Sequence, residues 1–437
     1  MPPSTAYNFK WQIGDDSSKV LDILQLSPTN DVSFGRFVLK EPPPEDELLL
    51  RNILQVFQHC SQHDIVWDWL DVTMESVGMM SFHFLRPLLF AANSMGIVRR
   101  VAIQGDATPI NAGEPLPTHE FFLAGSLLNP RLEVLEIVAN REGGLVPMGD
   151  YRALCELLQT TKSLRRLKLD RVTNFEVTLL CQGLQENKTL RKLSLSFVQC
   201  DVPDASIANV IQSLNDHPEL RYLTITSSGQ FGPLSSTALK MLLSSKPCKL
   251  KSLSLQGFEF FELDTTSGTL NTEDLLEGIQ ANRSLKNVLI GDALDGDMFF
   301  SKFFQLLGEC PWLETLHLWE PNITNQDLES VLSEQVQRLE RSVVIGLGFP
   351  VLDTLEKTLT QVLTKHQEIR MEHEGFLGNP SFVHLCQWNW YGRYLMDKPD
   401  FPLSMWPVVL KKANQKPNVI YEFLKGPAFA ARQPYHR

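Results

Sequence analysis

The sequence is poor in everything that marks an enzyme, a secreted protein or a membrane protein. It has seven cysteines, at 60, 155, 181, 200, 248, 310 and 386, and no two of them form a C-x-x-C pair. An odd, scattered set predicts reduced and mostly buried thiols, as in a cytoplasmic or nuclear protein, rather than a disulfide framework. The N-terminus Met1-Pro-Pro-Ser-Thr-Ala-Tyr-Asn carries no basic segment followed by an apolar run, so no secretory leader is expected. The most apolar stretch, Phe82 to Val98, is short and broken by Arg86 and Asn93, which excludes it as a bilayer span.

Catalytic signatures are missing as well. His119-Glu120 lacks a second histidine at zinc-helix spacing, and Gly346-Leu-Gly348 runs into Phe-Pro rather than a phosphate loop. There is no G-x-S-x-G elbow and no Walker lysine. Cys310, Glu314 and His317 are close in sequence, but Cys310 is expected to end a helix and the other two to lie on a strand, so they do not form a nucleophilic pair. No metal and no cofactor is expected, and the chain reads as non-enzymatic. The net charge of -11 argues against a nucleic-acid partner. Asn187, Asn282 and Asn322 head N-x-S/T triplets, which carry no meaning without secretion.

What the chain does have is a recurring strand phrase, apolar-x-x-apolar-x-apolar. It is clearest as Leu132-Glu-Val-Leu135-Glu-Ile137, Leu164-Arg-Arg-Leu167-Lys-Leu169, Leu190-Arg-Lys-Leu193-Ser-Leu195 and Leu220-Arg-Tyr-Leu223-Thr-Ile225. It continues as Leu250-Lys-Ser-Leu253-Ser-Leu255, Leu285-Lys-Asn-Val288-Leu-Ile290 and Leu313-Glu-Thr-Leu316-His-Leu318. Weaker copies begin at Phe34, Trp67 and Val98, and two more place Val343 with Ile345 and Ile369 with Met371. The first positions fall at 34, 67, 98, 132, 164, 190, 220, 250, 285, 313, 340 and 366, about 30 residues apart. Such a period means stacked supersecondary units, each unable to bury its apolar edge alone.

Between the strands the period changes to that of a helix. Leu328, Val331, Leu332, Val336 and Leu339 share one helical face, and the spacing predicts helices also over 175–184, 207–214, 239–243, 275–279 and 352–363. Asp204 is the expected N-cap before Ile207, and Thr272 before Glu273 and Asp274. The predicted fold is therefore α/β: a solenoid with a parallel sheet inside and helices outside. Residues 1–33 form an N-terminal cap in which Trp11 and Ile13 fit a degenerate strand. Residues 34–375 form about 12 units. Residues 376–437 form a helical C-terminal cap or adapter tail, opened by Asn379-Pro380 and containing Trp406-Pro407.

These phrases resemble leucine-rich repeat proteins of the ribonuclease-inhibitor type. The resemblance implies a horseshoe whose concave face binds another protein. Asn or Cys usually follows the strand in that family; here only Asn140, Asn322 and, one position off, Cys200 stand near that place.

In the strand phrase the second and third apolar residues point inward, so the third, fifth and seventh positions face the concave side. That column contains Trp69, Asp71, Arg100, Val134, Glu136, Arg166, Lys168, Lys192, Tyr222, Thr224, Ser252, Ser254 and Asn287, then His317 and Trp319. Two candidate patches emerge: Arg166, Lys168, Lys192 and Tyr222, and separately His317 with Trp319. Arg, Tyr and Trp are frequent interface anchors. The expected partner is another protein with an acidic surface, with neither nucleic acid nor a membrane involved. Arg165, Arg191, Arg221, Lys251 and Lys286 fill the second position of five strands, where helix C-termini are expected to offset their mutual repulsion. A regulatory subunit, such as a GTPase-activating repeat protein or a ubiquitin-ligase receptor, and a plain structural spacer remain as alternatives.

Overall fold

The computed structural model describes residues 10–12, 33–40, 47–74, 87, 90–105, 129–138, 146–147, 151–173, 176–197, 202–227, 231–257, 271–291, 306, 309–319, 343–347 and 369–373. The chain divides into two compact units. The first holds Met1–Leu250 with Gly257–Gly268, and the second holds Lys251–Gln256 with Thr269–Arg437.

In the first unit the strands are β1 (Lys10–Gln12), β2 (Ser33–Lys40), β3 (Val66–Met74), β4 (Val98–Gly105), β5 (Val134–Val138), β6 (Val146–Pro147), β7 (Arg166–Asp170), β8 (Val172–Thr173), β9 (Lys192–Phe197) and β10 (Tyr222–Ser227). Strands β1, β2, β3, β4, β5, β7, β9 and β10 lie side by side in that order, every pair parallel. Strands β6 and β8 form a separate parallel pair. The second unit contributes β11 (Ser252–Gly257), β12 (Asn287–Gly291), β13 (Thr315–Trp319), β14 (Val343–Leu347) and β15 (Ile369–His373), again parallel in chain order.

The second and third apolar positions of all twelve predicted phrases fall in these strands, and Trp11 lies in β1, paired with Phe37. The cause is the alternation. In β5 and β7 the residues run half-buried, buried, half-buried, buried, half-buried. The leucines and isoleucines of the phrases from Leu132 to Ile225 are at most 3% exposed, and each such side chain contributes roughly 1.5–3 kcal/mol. Parallel strands cannot be joined by a tight turn, so helices carry the chain back.

The helices are α1 (Glu47–Gln62), α2 (Tyr151–Thr160), α3 (Val177–Glu186), α4 (Asp204–Gln212), α5 (Pro233–Ser244) and, in the second unit, α6 (Thr272–Ala281). Helices α3 to α6 match the predicted apolar faces. Helices α1 and α2 have no counterpart in the expectation, although Ile53, Val56, Phe57 and Cys60 bury one face of α1 at helical spacing. Helix α2 packs on α3, α3 on α4 and α4 on α5. Gly183 makes the α2–α3 approach feasible, since a Cβ there would come 3.1 Å from the Cys155 Cα and 2.9 Å from the Leu158 Cδ1. The predicted helices over 326–339 and 352–363 and the 376–437 tail lie outside the described residues.

Two expected caps move. Helix α4 has Pro203 at its N-cap and Asp204 as its first residue. Helix α6 has Asn271 at its N-cap, whose side chain accepts from the Glu273 N–H at 3.1 Å, so Thr272 is the first helical residue. Glu273 and Asp274 occupy the first turn, as expected.

The turn from helix to strand has a recurrent fixture three residues before the first leucine of the phrase. Asn187 lies there before Leu190 and is buried: its Oδ1 accepts from the Thr189 and Leu190 N–H groups at 3.0 and 2.9 Å, and its Nδ2 donates to the Leu158 carbonyl at 2.7 Å. Asn282 does the same for the Ser284 and Leu285 N–H groups, and Asn129 donates to Val98 O and Asn93 Oδ1 while accepting from the Arg131 N–H. Thr161 takes this role before Leu164, and His217 stands at the same place before Leu220. Asn187 and Asn282 are therefore buried fixtures of the turn. Asn140, Cys200 and Asn322 lie outside the described residues.

The five described cysteines of the first and second units are free, with Cys60, Cys155 and Cys310 buried. Burial pushes the Cys60 thiol up to about 11, so it is an inert core group. No described helix is long and apolar enough to cross a membrane.

Candidate functional site

The alternation that sends leucines into the core leaves every second residue on the open face of the sheet, and the parallel register lines these residues up. Across the first unit one row reads Lys10, Arg36, Trp69, Arg100, Val134, Arg166, Lys192, Tyr222. The next row reads Gln12, Val38, Asp71, Ala102, Glu136, Lys168, Ser194, Thr224. Neighbours in a row are about 4.8 Å apart across the sheet. Four of the predicted residues, Arg166, Lys168, Lys192 and Tyr222, are thus brought together on β7, β9 and β10.

Arg100, Arg166 and Lys192 lie between two aromatic residues of this row. The Arg100 guanidinium lies over the Trp69 ring, 5.2 Å from its centroid, a cation–π contact. Tyr222 is 43% exposed at the other end. Between them Arg166 Nε is 2.8 Å from Glu136 Oε1, an ion pair not aligned as a hydrogen bond. Lys168 Nζ is 3.2 Å from Asp170 Oδ2, and the other Asp170 oxygen is 3.7 Å from Arg171 Nε. Arg171 has φ +54, a left-handed conformation uncommon for a side-chain-bearing residue, at the turn between β7 and β8.

Among the described side chains, the cations Arg100, Arg166, Lys168 and Lys192, with Arg171 at the following turn, gather around two carboxylates, Glu136 and Asp170. Lys192 has no ion-pair partner among the described residues. Burial holds its ammonium below the usual lysine range, Arg166 and Lys168 press in the same direction, and Glu136 opposes them. Positive charge is crowded here, on a chain whose total is -11. The surface can hold an anionic partner, with exposed aromatic surface beside the charge.

The other predicted pair lies in the second unit. His317 and Trp319 occupy alternate positions of β13, with His317 half-buried and in register with Leu289 and Gly346. The Trp319 side chain lies outside the described residues. Glu136, Asp170 and Arg171 join the first patch through pairings that no local motif announces.

Four of the five second-position cations have partners among the described residues: Arg191, Arg221 and Lys286 meet carboxylates and Arg165 a backbone carbonyl. Glu219 gathers Lys249 at 3.5 Å, Arg191 at 3.8 Å and Arg221 at 3.9 Å, and its carboxyl is held below the ordinary range, chiefly by Lys249. Lys286 pairs with Glu314, and Arg165 donates to the Thr189 carbonyl at 3.2 Å. Backbone hydrogen bonds from Arg165 to Glu133, Arg191 to Arg165 and Arg221 to Arg191 tie this column into the sheet. These cations have internal partners, which sets them apart from Lys192. Among the described residues no group of three or more His, Cys, Asp or Glu side chains is arranged to hold a metal.

The chain matches no model of a known protein family, and no curated protein sequence matches it significantly.

Proposed function

We propose that this is a non-enzymatic leucine-rich repeat protein of the ribonuclease-inhibitor type, whose concave sheet face binds an acidic surface of another protein. The observation that carries the reading is the charge excess among the described side chains of the β4–β9 face, five cations around two carboxylates, with Trp69 and Tyr222 beside them. Strand side chains are held by the sheet, so a partner meets a largely preformed surface. The repeat reading is supported by twelve phrases in twelve parallel strands and by the polar fixture three residues before the first leucine. His317 and Trp319 make a second contact patch in this proposal, and the scaffold works in the cytoplasm or nucleus, where free thiols persist.

The test is a cross-linking capture from source lysate, with the native chain beside an Arg166→Ala/Lys168→Ala/Lys192→Ala/Tyr222→Ala variant of matched thermal stability. A protein captured by the native chain, lost with the variant and weakened by added salt is the expected outcome, because charge complementarity is screened by ions. Equal capture by both chains removes the basic face as the site and turns attention to His317 and Trp319.

A further inference from the structure

We propose that Lys192, Ser194, Tyr222 and Thr224 form a phosphate-recognition subsite, which takes a phosphorylated side chain of the acidic partner segment. The proposal rests on the concave-face reading above and narrows it.

The four residues sit at the corners of a rectangle on two adjacent parallel strands. Lys192 is in register with Tyr222, and Ser194 with Thr224. The sides are about 4.8 Å between strands and ~6.6 Å along each strand, with all four on the same face. Lys192, Ser194 and Thr224 are half-buried and Tyr222 is exposed. None of these side chains makes a hydrogen bond or ion pair with another described residue. The rest of the cluster is paired internally: Arg166 with Glu136, Lys168 with Asp170, Arg171 with Asp170. Among the described cations of the cluster, Lys192 therefore lacks the carboxylate or aromatic partner that the others have, and every corner of the rectangle carries an N–H or O–H that can donate.

The donor set favours phosphate over carboxylate. The nearest guanidinium, that of Arg166, already leans on Glu136 through its Nε, which leaves the lysine and the hydroxyls as the donors of this subsite. A phosphate monoester brings close to two negative charges and three acceptor oxygens, matching a lysine point charge with several hydroxyls around it. Lys168, in register with Ser194, adds a second cation at the rim. A dianion would also relieve the repulsion that Arg166 and Lys168 impose on the Lys192 ammonium.

The experiment uses the full chain with isotope-labelled lysine Cε, the Lys192 resonance being assigned with Lys192→Arg. N-acetyl-O-phosphoserine amide and N-acetyl-glutamate amide are titrated at constant ionic strength. The expected result is a saturable shift of Lys192 with the phosphoserine probe, about tenfold tighter than with the glutamate probe, and no comparable shift of Lys249. Ser194→Ala and Ser194→Ala/Thr224→Val, both at half-buried positions, should weaken the phosphoserine affinity several-fold while leaving thermal unfolding in place. Equal affinity for the two probes, equal affinity in the variants, or no saturable shift with phosphoserine overturns the phosphate subsite. The broader acidic-partner reading falls only if the four-residue alanine variant captures the same proteins as the native chain, so the two failures are separable.

Discussion

The carboxylate of Asp204, the first residue of α4, caps the next helix along the chain, at Gly232. Its Oδ1 accepts from the Gly232 N–H at 2.9 Å and from Ser235 N–H at 3.2 Å, and its Oδ2 accepts from the Leu234 N–H at 2.9 Å. The Ser235 hydroxyl donates to the same carboxylate. One side chain thus satisfies the free amides and complements the dipole at the start of α5, binding two successive units to each other.

This arrangement predicts coupled substitutions. Asp204→Ala leaves the α5 amides without their acceptor and should cost about 1–3 kcal/mol. Gly232 has φ -95, which any residue adopts, so the cost of Gly232→Ala is steric: its Cβ would come 2.6 Å from the Asp204 Cγ. With Asp204 already replaced by Ala, the clash with the carboxylate disappears and only the Cβ, 3.1 Å away, remains as a tight contact. Urea unfolding midpoints of the two single variants and the double variant should therefore be non-additive, with Gly232→Ala less costly in the Asp204→Ala background than in the native chain. Additive losses would show that the two residues act independently.

This contact also marks where the sequence stops being legible. The strands are readable because Leu167 and Leu169, or Leu193 and Leu195, alternate with polar residues, and burial of one face requires that alternation. Helices α3 to α6 follow from apolar residues at helical spacing. The acceptor for Gly232, however, lies 28 residues earlier, and nothing local announces it. The same holds for Arg166 and Glu136, which meet across neighbouring strands. The Asn-x-x-Leu turn is a different case. Asn129, Asn187 and Asn282 each stand three residues before a phrase, a visible period whose meaning becomes plain only when their carboxamides are seen closing the turn. The candidate patch was legible as a set of alternate positions, but the missing partner of Lys192 and the pairing of its neighbours belong to the three-dimensional register.

The buried imidazole of His217 predicts an acid-sensitive fold. Its Nε2 lies 3.3 Å from Asn187 Oδ1, an oxygen that accepts from two backbone amides, so Nε2 carries the proton of a neutral ring. Burial, aided by Lys188, lowers its pKa to about 4, while Glu219 opposes the shift. Between the unfolded value of 6.5 and about 4, the unfolded chain binds a proton that the folded chain refuses. Stability from this group is complete above the unfolded value and is lost as pH falls toward the folded one, on the order of 3 kcal/mol in all. His217→Gln should flatten the pH dependence of unfolding in that window relative to the native chain. An unchanged difference between the two curves from neutral pH to pH 4 would contradict a neutral buried imidazole.

The electrostatics of the open face can be tested at Lys192 without any partner. Its ammonium is pressed below the usual range by burial first, then by Arg166 and Lys168, with Glu136 working the other way. Removing a neighbouring cation should therefore raise the Lys192 pKa, and removing the anion should lower it further. Titration of the Lys192 Cε resonance should move upward in Lys168→Ala and downward in Glu136→Gln. Lys249, which sits beside Glu219, serves as the unaffected reference. Arg166→Ala is the informative third variant: it removes a cation next to Lys192 but also frees Glu136, its ion-pair partner at 2.8 Å. Both changes favour the charged lysine, so this variant should show the largest upward shift of the three. A Lys192 pKa that stays fixed through all three substitutions would mean that the cluster is screened as bulk solvent screens it, and that its excess charge is unavailable to an anionic partner.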